Sequence, residues 1–234
     1  MKKWFDVFSG WQKTVGGILF LALAVSAPSI SAEKAKKATP AKESRVSAFE
    51  ITEGDRTFIE LREAAKRNDV ARAQTLAASL SNYPYDDYVA YFRIKPQLFD
   101  SAGGARSDSN ADSQVVAFLN QYQGTALADR MRNDWLLVLG KRKDWSRFDA
   151  EYSKFVLDDD TQVKCYSLQS KLAQGENPTK VAIDARAILL DPRYFGQACQ
   201  ELVPILVGAG GMTPSEAKAI GRAASEMGFD TMSR

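Results

Sequence analysis

TALADRMRNDWLLVLGKRKDWSRFDAEYSKF, Thr125 to Phe155, carries two helical stripes separated by a short basic link. Leu127, Met131, Trp135, Val138 and Leu139 recur at the spacing of one helical face. Leu136 and Leu137 widen that face, so this helix is expected to be covered by neighbours on two sides. Thr125 is a natural N-cap, and Gly140 stands where the apolar run ends, a position that favours glycine. After Lys141-Arg142-Lys143, Asp144 caps a second helix striped by Trp145, Phe148, Tyr152 and Phe155. So short a link turns the second helix back along the first and predicts an αα-hairpin. One hairpin cannot bury both of its own faces, so the flanking sequence should supply more.

It does, on both sides. Helical periodicity starts near Asp55, with Phe58, Leu61, Ala64 and Ala65, and breaks at Asn68-Asp69. Val70, Ala73, Leu76, Ala77 and Leu80 mark a second helix, and Asn82-Tyr83-Pro84 a turn. Tyr85, Tyr88, Val89 and Phe92, with Ile94 as a further candidate, stripe an aromatic third helix ending near Pro96. Residues 101–111 have loop composition, and Val115, Phe118, Leu119 and Tyr122 mark a fourth helix. Beyond the central hairpin, a seventh helix follows the acidic run Asp158-Asp159-Asp160, whose charge complements the helix dipole. Gly175 to Pro178 ends it; the eighth carries Val181, Ala185 and Leu189 and breaks at Asp191-Pro192. Cys199, Leu202 and Leu206 lie on a ninth, which contains Pro204. Thr213-Pro214-Ser215-Glu216 is a capping box for a tenth, with Ile220, Ala224 and Met227. No run alternates with strand period. The reading is all-α: an irregular superhelical solenoid of about ten short helices paired as αα-hairpins.

Composition narrows the function. The 234 residues include 31 basic and 29 acidic side chains and no histidine. The part from residue 48 onward is slightly acidic, which argues against nucleic acid as a partner. Without imidazole, histidine-based catalysis and the usual zinc sites are excluded, and neither metal nor cofactor is expected. Residues 1–32 read as a signal peptide: Lys2, Lys3 and Lys13, an apolar core from Val15 to Val25, and Ile30-Ser31-Ala32 before Glu33. Cleavage after Ala27 is the other option, and an uncleaved N-terminal anchor is the competing reading. The apolar run is short for a membrane span, so no stable membrane anchor is expected. Residues 33–51 form an Ala/Lys/Glu-rich linker, and the helical domain occupies 52–234. Export places the chain in the periplasm. There Cys165 and Cys199 are expected to be disulfide-bonded, with two buried thiols as the alternative.

Three stretches then resemble one family. Arg132-Asn133-Asp134-Trp135-Leu136-Leu137-Val138-Leu139 is followed by Arg142-Lys143-Asp144-Trp145 and Phe148. Asn82-Tyr83-Pro84-Tyr85 leads through Tyr88 to Tyr91-Phe92-Arg93. Gln162-Val163-Lys164-Cys165-Tyr166 precedes Cys199. In order and spacing these resemble the N-terminal superhelical domain of periplasmic soluble lytic murein transglycosylases, over roughly residues 55–230. Some members of that family have a similar cysteine pair. The resemblance implies a scaffold around which peptidoglycan glycan strands pass. Family members continue into a lysozyme-like domain whose catalytic glutamate lies in a Glu-Ser motif on a helix. Here the only Glu-Ser pair is Glu43-Ser44, in the linker. The domain is therefore expected to be truncated before any lysozyme-like partner, without catalytic residues and inactive by itself.

The alternative is a stand-alone periplasmic helical-repeat adaptor that binds an envelope protein or peptide. Carboxylate pairs such as Asp86-Asp87 read as helix caps rather than as a glycosidase pair. Tyr85, Tyr88, Tyr91 and Trp135 have the chemistry to stack on sugars, but at helical spacing they read first as hairpin core, Trp135 above all because it sits mid-stripe. The glycan-binding surface itself has no sequence signature.

Overall fold

A computed structural model describes residues 51–190 and 196–226, all within the second of the chain's two units, Ala48–Arg234. The expected signal peptide, the linker up to residue 50, Asp191-Pro192 and Met227 lie outside the described residues. Those described form ten α-helices and no strand. They are α1 (Glu53–Lys66), α2 (Val70–Ala78), α3 (Asp86–Ile94), α4 (Asp112–Gln121) and α5 (Ala126–Arg142). Then come α6 (Trp145–Tyr152), α7 (Thr161–Ala173), α8 (Pro178–Leu189), α9 (Gln197–Gly208) and α10 (Pro214–Glu226). A single 3-10 turn, Lys95–Gln97, extends α3.

Short polar side chains set most of the helix starts. Thr52 and Asp55 cap α1 reciprocally, each accepting from the other's backbone N–H. Asp69, Thr125, Asp144, Asp160 and Asn177 accept backbone N–H groups at the starts of α2, α5, α6, α7 and α8. Thr213 and Glu216 form the expected capping box of α10, with the Thr213 N–H donating to Glu216 at 2.8 Å. Each such bond satisfies a donor that the helix cannot satisfy internally, a contribution of about 1 kcal/mol. Pro178, read from the sequence as part of a helix stop, is instead the first residue of α8, where its fixed φ suits a helix start. α1 also begins earlier than the apolar period indicates, because the Thr52 cap precedes the first core residue.

Principal contacts join helices one or two apart in the chain. Each odd-numbered helix up to α9 packs on the next odd one, with the even-numbered helix between them packed on both. α5 is the most enclosed element. Between Ala128 and Gly140 every residue except Arg130 and Arg132 is buried, as the two-sided apolar pattern requires. α6 returns along α5 as the hairpin predicts, with Phe148 fully buried and Trp145 and Tyr152 half-buried. Phe155 lies past the end of α6 and is also buried.

Gly140 does not end α5. The helix continues through Lys141 and Arg142, and Lys143 closes it in the left-handed region at φ 59°. The link is thus only Lys143-Asp144. The glycine serves packing instead: a Cβ at Gly140 would lie 2.3 Å from the Tyr166 ring of α7. Its missing side chain lets α5 and α7 approach.

The loop before α4 is tied to this centre by charge. Asp112 accepts from Trp135 Nε1 at 3.0 Å, Arg142 Nη1 at 2.7 Å and Arg147 Nη1 at 2.8 Å. One carboxylate therefore joins α4, α5 and α6. Arg142 also donates to the Ser107 and Ser109 carbonyls. Burial pushes the Asp112 carboxyl up, but the Trp135 and Arg142 hydrogen bonds outweigh it and hold the group below its usual range.

Two predictions follow from this packing. Gly140→Ala should destabilise the chain by about 1–3 kcal/mol in urea unfolding, because the new methyl meets the Tyr166 ring. Gly208→Ala is the control: nothing lies within 4 Å of a Cβ there, and alanine is the better helix former. The second concerns acid. A lowered folded pKa means that Asp112 stabilises above the ordinary carboxylate range, about 4, and loses this as pH falls through its folded value. Asp112→Asn should cost about 2–4 kcal/mol at neutral pH, by leaving Arg142 without its carboxylate, and flatten the acid limb of stability below about pH 4.

Candidate functional site

The aromatic residues singled out in the sequence divide into two groups. Trp135 is 3% exposed and spends its indole N–H on Asp112, so it is core, as its mid-stripe position indicates. Tyr91 is also buried, and its hydroxyl donates to Asp134 Oδ2 at 2.7 Å. Neither ring is open to a ligand. Tyr85 and Tyr88 are 57% and 43% exposed. The stripe read on α3 is thereby corrected. Its buried side carries Val89, Tyr91 and Ile94, and the tyrosines flanking it point outward. α1, α2, α4 and α5 all pack on α3, yet Tyr85 and Tyr88 meet neighbouring rings and stay open to solvent.

That edge belongs to an aromatic surface assembled from α1, the turn between α2 and α3, and α3 itself. Phe58 stacks on Tyr83 with ring centroids 4.9 Å apart and planes inclined by 23°. Tyr85 meets Tyr83 edge-on at 5.8 Å. Phe92 lies 5.8 Å from Phe58 and 6.1 Å from Tyr88. The Tyr83 hydroxyl donates to Asp55 at 2.8 Å, which pushes its pKa up to about 12 and fixes the ring. Asp55 is itself held by the Thr52 cap, so the helix start of α1 positions the platform. No described residue bonds the Tyr85 or Tyr88 hydroxyl. Two exposed rings with free hydroxyls, backed by three more rings, are suited to stacking against an apolar face that carries polar groups. Periodicity alone missed this platform, because Tyr83 reads as a turn residue. The density of rings in Asn82-Tyr83-Pro84-Tyr85 is the signal that was there to use.

Acid–base chemistry is the other possibility, and one carboxyl invites it. Burial raises the Asp134 pKa above the usual range, with Lys95 Nζ at 3.2 Å opposing the shift. A raised carboxyl is the property of a general acid. Asp134 is only 4% exposed, however, and is enclosed by Tyr91 and Lys95, so a glycosidic oxygen has no approach to it. The acidic run is structural: Asp160 caps α7, Asp159 pairs with Arg130 at 3.1 Å and Asp158 with Lys164 at 3.6 Å. Asp86 opens α3 and accepts from the Tyr122 hydroxyl. Glu43-Ser44 lies outside the described residues. Among those described, no group of acidic or cysteine side chains is placed to hold a metal, and no helix is long and apolar enough to cross a membrane.

The two cysteines meet. Cys165 on α7 and Cys199 on α9 have sulfurs 2.04 Å apart and Cα atoms 5.1 Å apart, and both are fully buried. A bond there closes a loop that contains α8. We predict that unreduced protein has no alkylatable thiol and runs one disulfide lighter by mass. Reduction should lower stability by about 3–4 kcal/mol in the chain-entropy description. Two free thiols in protein from an oxidising compartment would contradict this. Comparison with protein-family models, with curated proteins and with solved structures gave no match to this chain.

Proposed function

We propose that this chain is the non-catalytic superhelical portion of a periplasmic lytic murein transglycosylase, serving as a scaffold that glycan strands contact during peptidoglycan remodelling. The observation that carries the reading is the exposed Tyr85–Tyr88 surface, backed by Phe58 and Tyr83. A hexose ring presents an apolar face of axial C–H groups beside its hydroxyls. Tyrosine supplies a ring for the first and a phenol for the second, at little entropic cost.

The helix arrangement supports the scaffold half of the proposal. Odd-numbered helices in continuous contact, with even-numbered helices against them, is the neighbour pattern of a solenoid whose units contact only their neighbours. In that arrangement the tyrosine edge lies on the first units, α1 to α3. The buried Cys165–Cys199 pair fits an oxidising compartment. In this reading the chain binds glycan weakly and cleaves nothing by itself; cleavage belongs to a lysozyme-like domain.

Cosedimentation of the full chain with isolated peptidoglycan sacculi tests the proposal. Tyr85→Ala/Tyr88→Ala should weaken binding about tenfold, the loss of two stacking contacts of ordinary size, with an unchanged helical spectrum. No soluble anhydro-muropeptides should appear. Binding that ignores both tyrosines, or turnover by protein free of other enzymes, would refute it.

A further inference from the structure

On the side of α3 away from the tyrosine edge, three short helices present one repeated arrangement. Asp86, Ala90 and Arg93 fall on a single face of α3 at i, i+4 and i+7. Gln74, Ala77 and Ser81, from α2 into the turn after it, and Gln114, Ala117 and Gln121 on α4 form similar stripes at i, i+3 and i+7. Each stripe is small in the middle and polar at its ends. Together they line two adjoining hollows of about 380 and 270 Å³ that share Ala90, Arg93 and Gln114. The result is a trough along α3 with an alanine floor.

Charge gives the trough a direction. Asp86 and Arg93 are its only charged lining residues. They stand two turns apart, about 10 Å along the helix. No described residue pairs with the Arg93 guanidinium. Asp86 accepts one hydrogen bond, from Tyr122 at 3.1 Å through Oδ2, which leaves Oδ1 for a second donor. The lining adds the amide side chains of Gln74, Gln114 and Gln121, which can donate and accept as a peptide unit does, although Gln121 already donates to Tyr122. Gln114 is held in place by Gln97, to which it donates at 3.0 Å and from which it accepts at 3.4 Å, so one of its N–H bonds stays open to a ligand. The alanine floor lets a backbone lie close, where a sugar would want a ring beneath it.

We propose that this trough binds a free oligopeptide of three to four residues in extended form, its carboxylate on Arg93 and its ammonium on Asp86. An extended chain advances about 3.3–3.6 Å per residue, so three residues match the rise from Asp86 to Arg93 along α3. Small side chains fit the floor best. The inference is independent of the glycan reading, because it uses the opposite side of α3 and none of the exposed tyrosines.

Titration calorimetry of the full chain with Ala-Ala-Ala tests it. The free tripeptide should bind, and amidating its C-terminus should weaken binding about tenfold, the usual loss for a charge-assisted hydrogen bond. Arg93→Ala should weaken the free peptide equally and the amidated peptide no further, since both changes remove one interaction. Arg93→Lys should recover part of the loss, and Asp86→Asn should match the effect of N-acetylation. Arg93 is exposed, so the helical spectrum should stay unchanged. Failure of the free tripeptide to bind, or binding indifferent to amidation or to Arg93→Ala, overturns the proposal. An N-acetylated peptide that binds as tightly as the free one also overturns it, in favour of a protein's C-terminal tail.

Discussion

Helix α5 has to be covered all round. Its buried run from Ala128 to Gly140 includes Met131, Trp135, Leu136, Val138 and Leu139, each 3% exposed or less. No single neighbour covers such a helix, so α3, α4, α6 and α7 pack around it. The approach of α7 depends on one absent side chain, that of Gly140 beneath Tyr166. Burying a large aliphatic side chain contributes about 1.5–3 kcal/mol, so this one helix gathers a large part of the driving force for the fold.

Polar groups on α5 make its surroundings specific. Asp129 accepts the Val156 and Leu157 backbone N–H groups and pairs with Arg132 at 2.9 Å, which fixes the chain as it leaves α6. Arg132 in turn reaches Glu151 on α6 at 3.2 Å. Asp134 is held by Tyr91 and Lys95, which ties α3 to the centre. These carboxylates act in opposite senses on stability. Asp134 is raised by burial, so its ionised form is a cost that grows as pH rises through its folded value. Asp112 is lowered by its donors and stabilises at every pH above the ordinary carboxylate range.

Most of the helix order was legible in the sequence, because apolar spacing and capping residues agree locally. Thr125, Asp144 and Thr213 were readable as caps, since a short polar side chain before an apolar period has few other roles. Gly140 was misread for a physical reason: glycine marks both helix ends and close helix contacts, and one sequence cannot separate the two. The face of α3 was misread because tyrosine suits both core and surface, so spacing alone does not choose. The aromatic platform and the trough are tertiary features. Phe58 and Tyr83 are far apart in sequence, and so are Ala77, Ala90 and Ala117; only packing brings each set together.

Both proposed binding surfaces lie on α1 to α4, of which α3 and α4 also pack on α5 while α1 and α2 make no principal contact with it. Leu61, Ala64, Ala73, Ala77, Leu80 and Val89 form a small cluster of their own beneath α1 to α3, rich in alanine and separate from the large cluster around α5. Less apolar area is buried there, so this end should open first, a property common to surfaces that bind. Native-state hydrogen exchange resolved by residue tests that gradient directly. The account predicts that the slowest amides belong to α5, from Met131 to Leu139, and that those of α1 and α2 exchange faster through a separate, smaller opening. Amides in α1 and α2 as slow as those of α5 would contradict it.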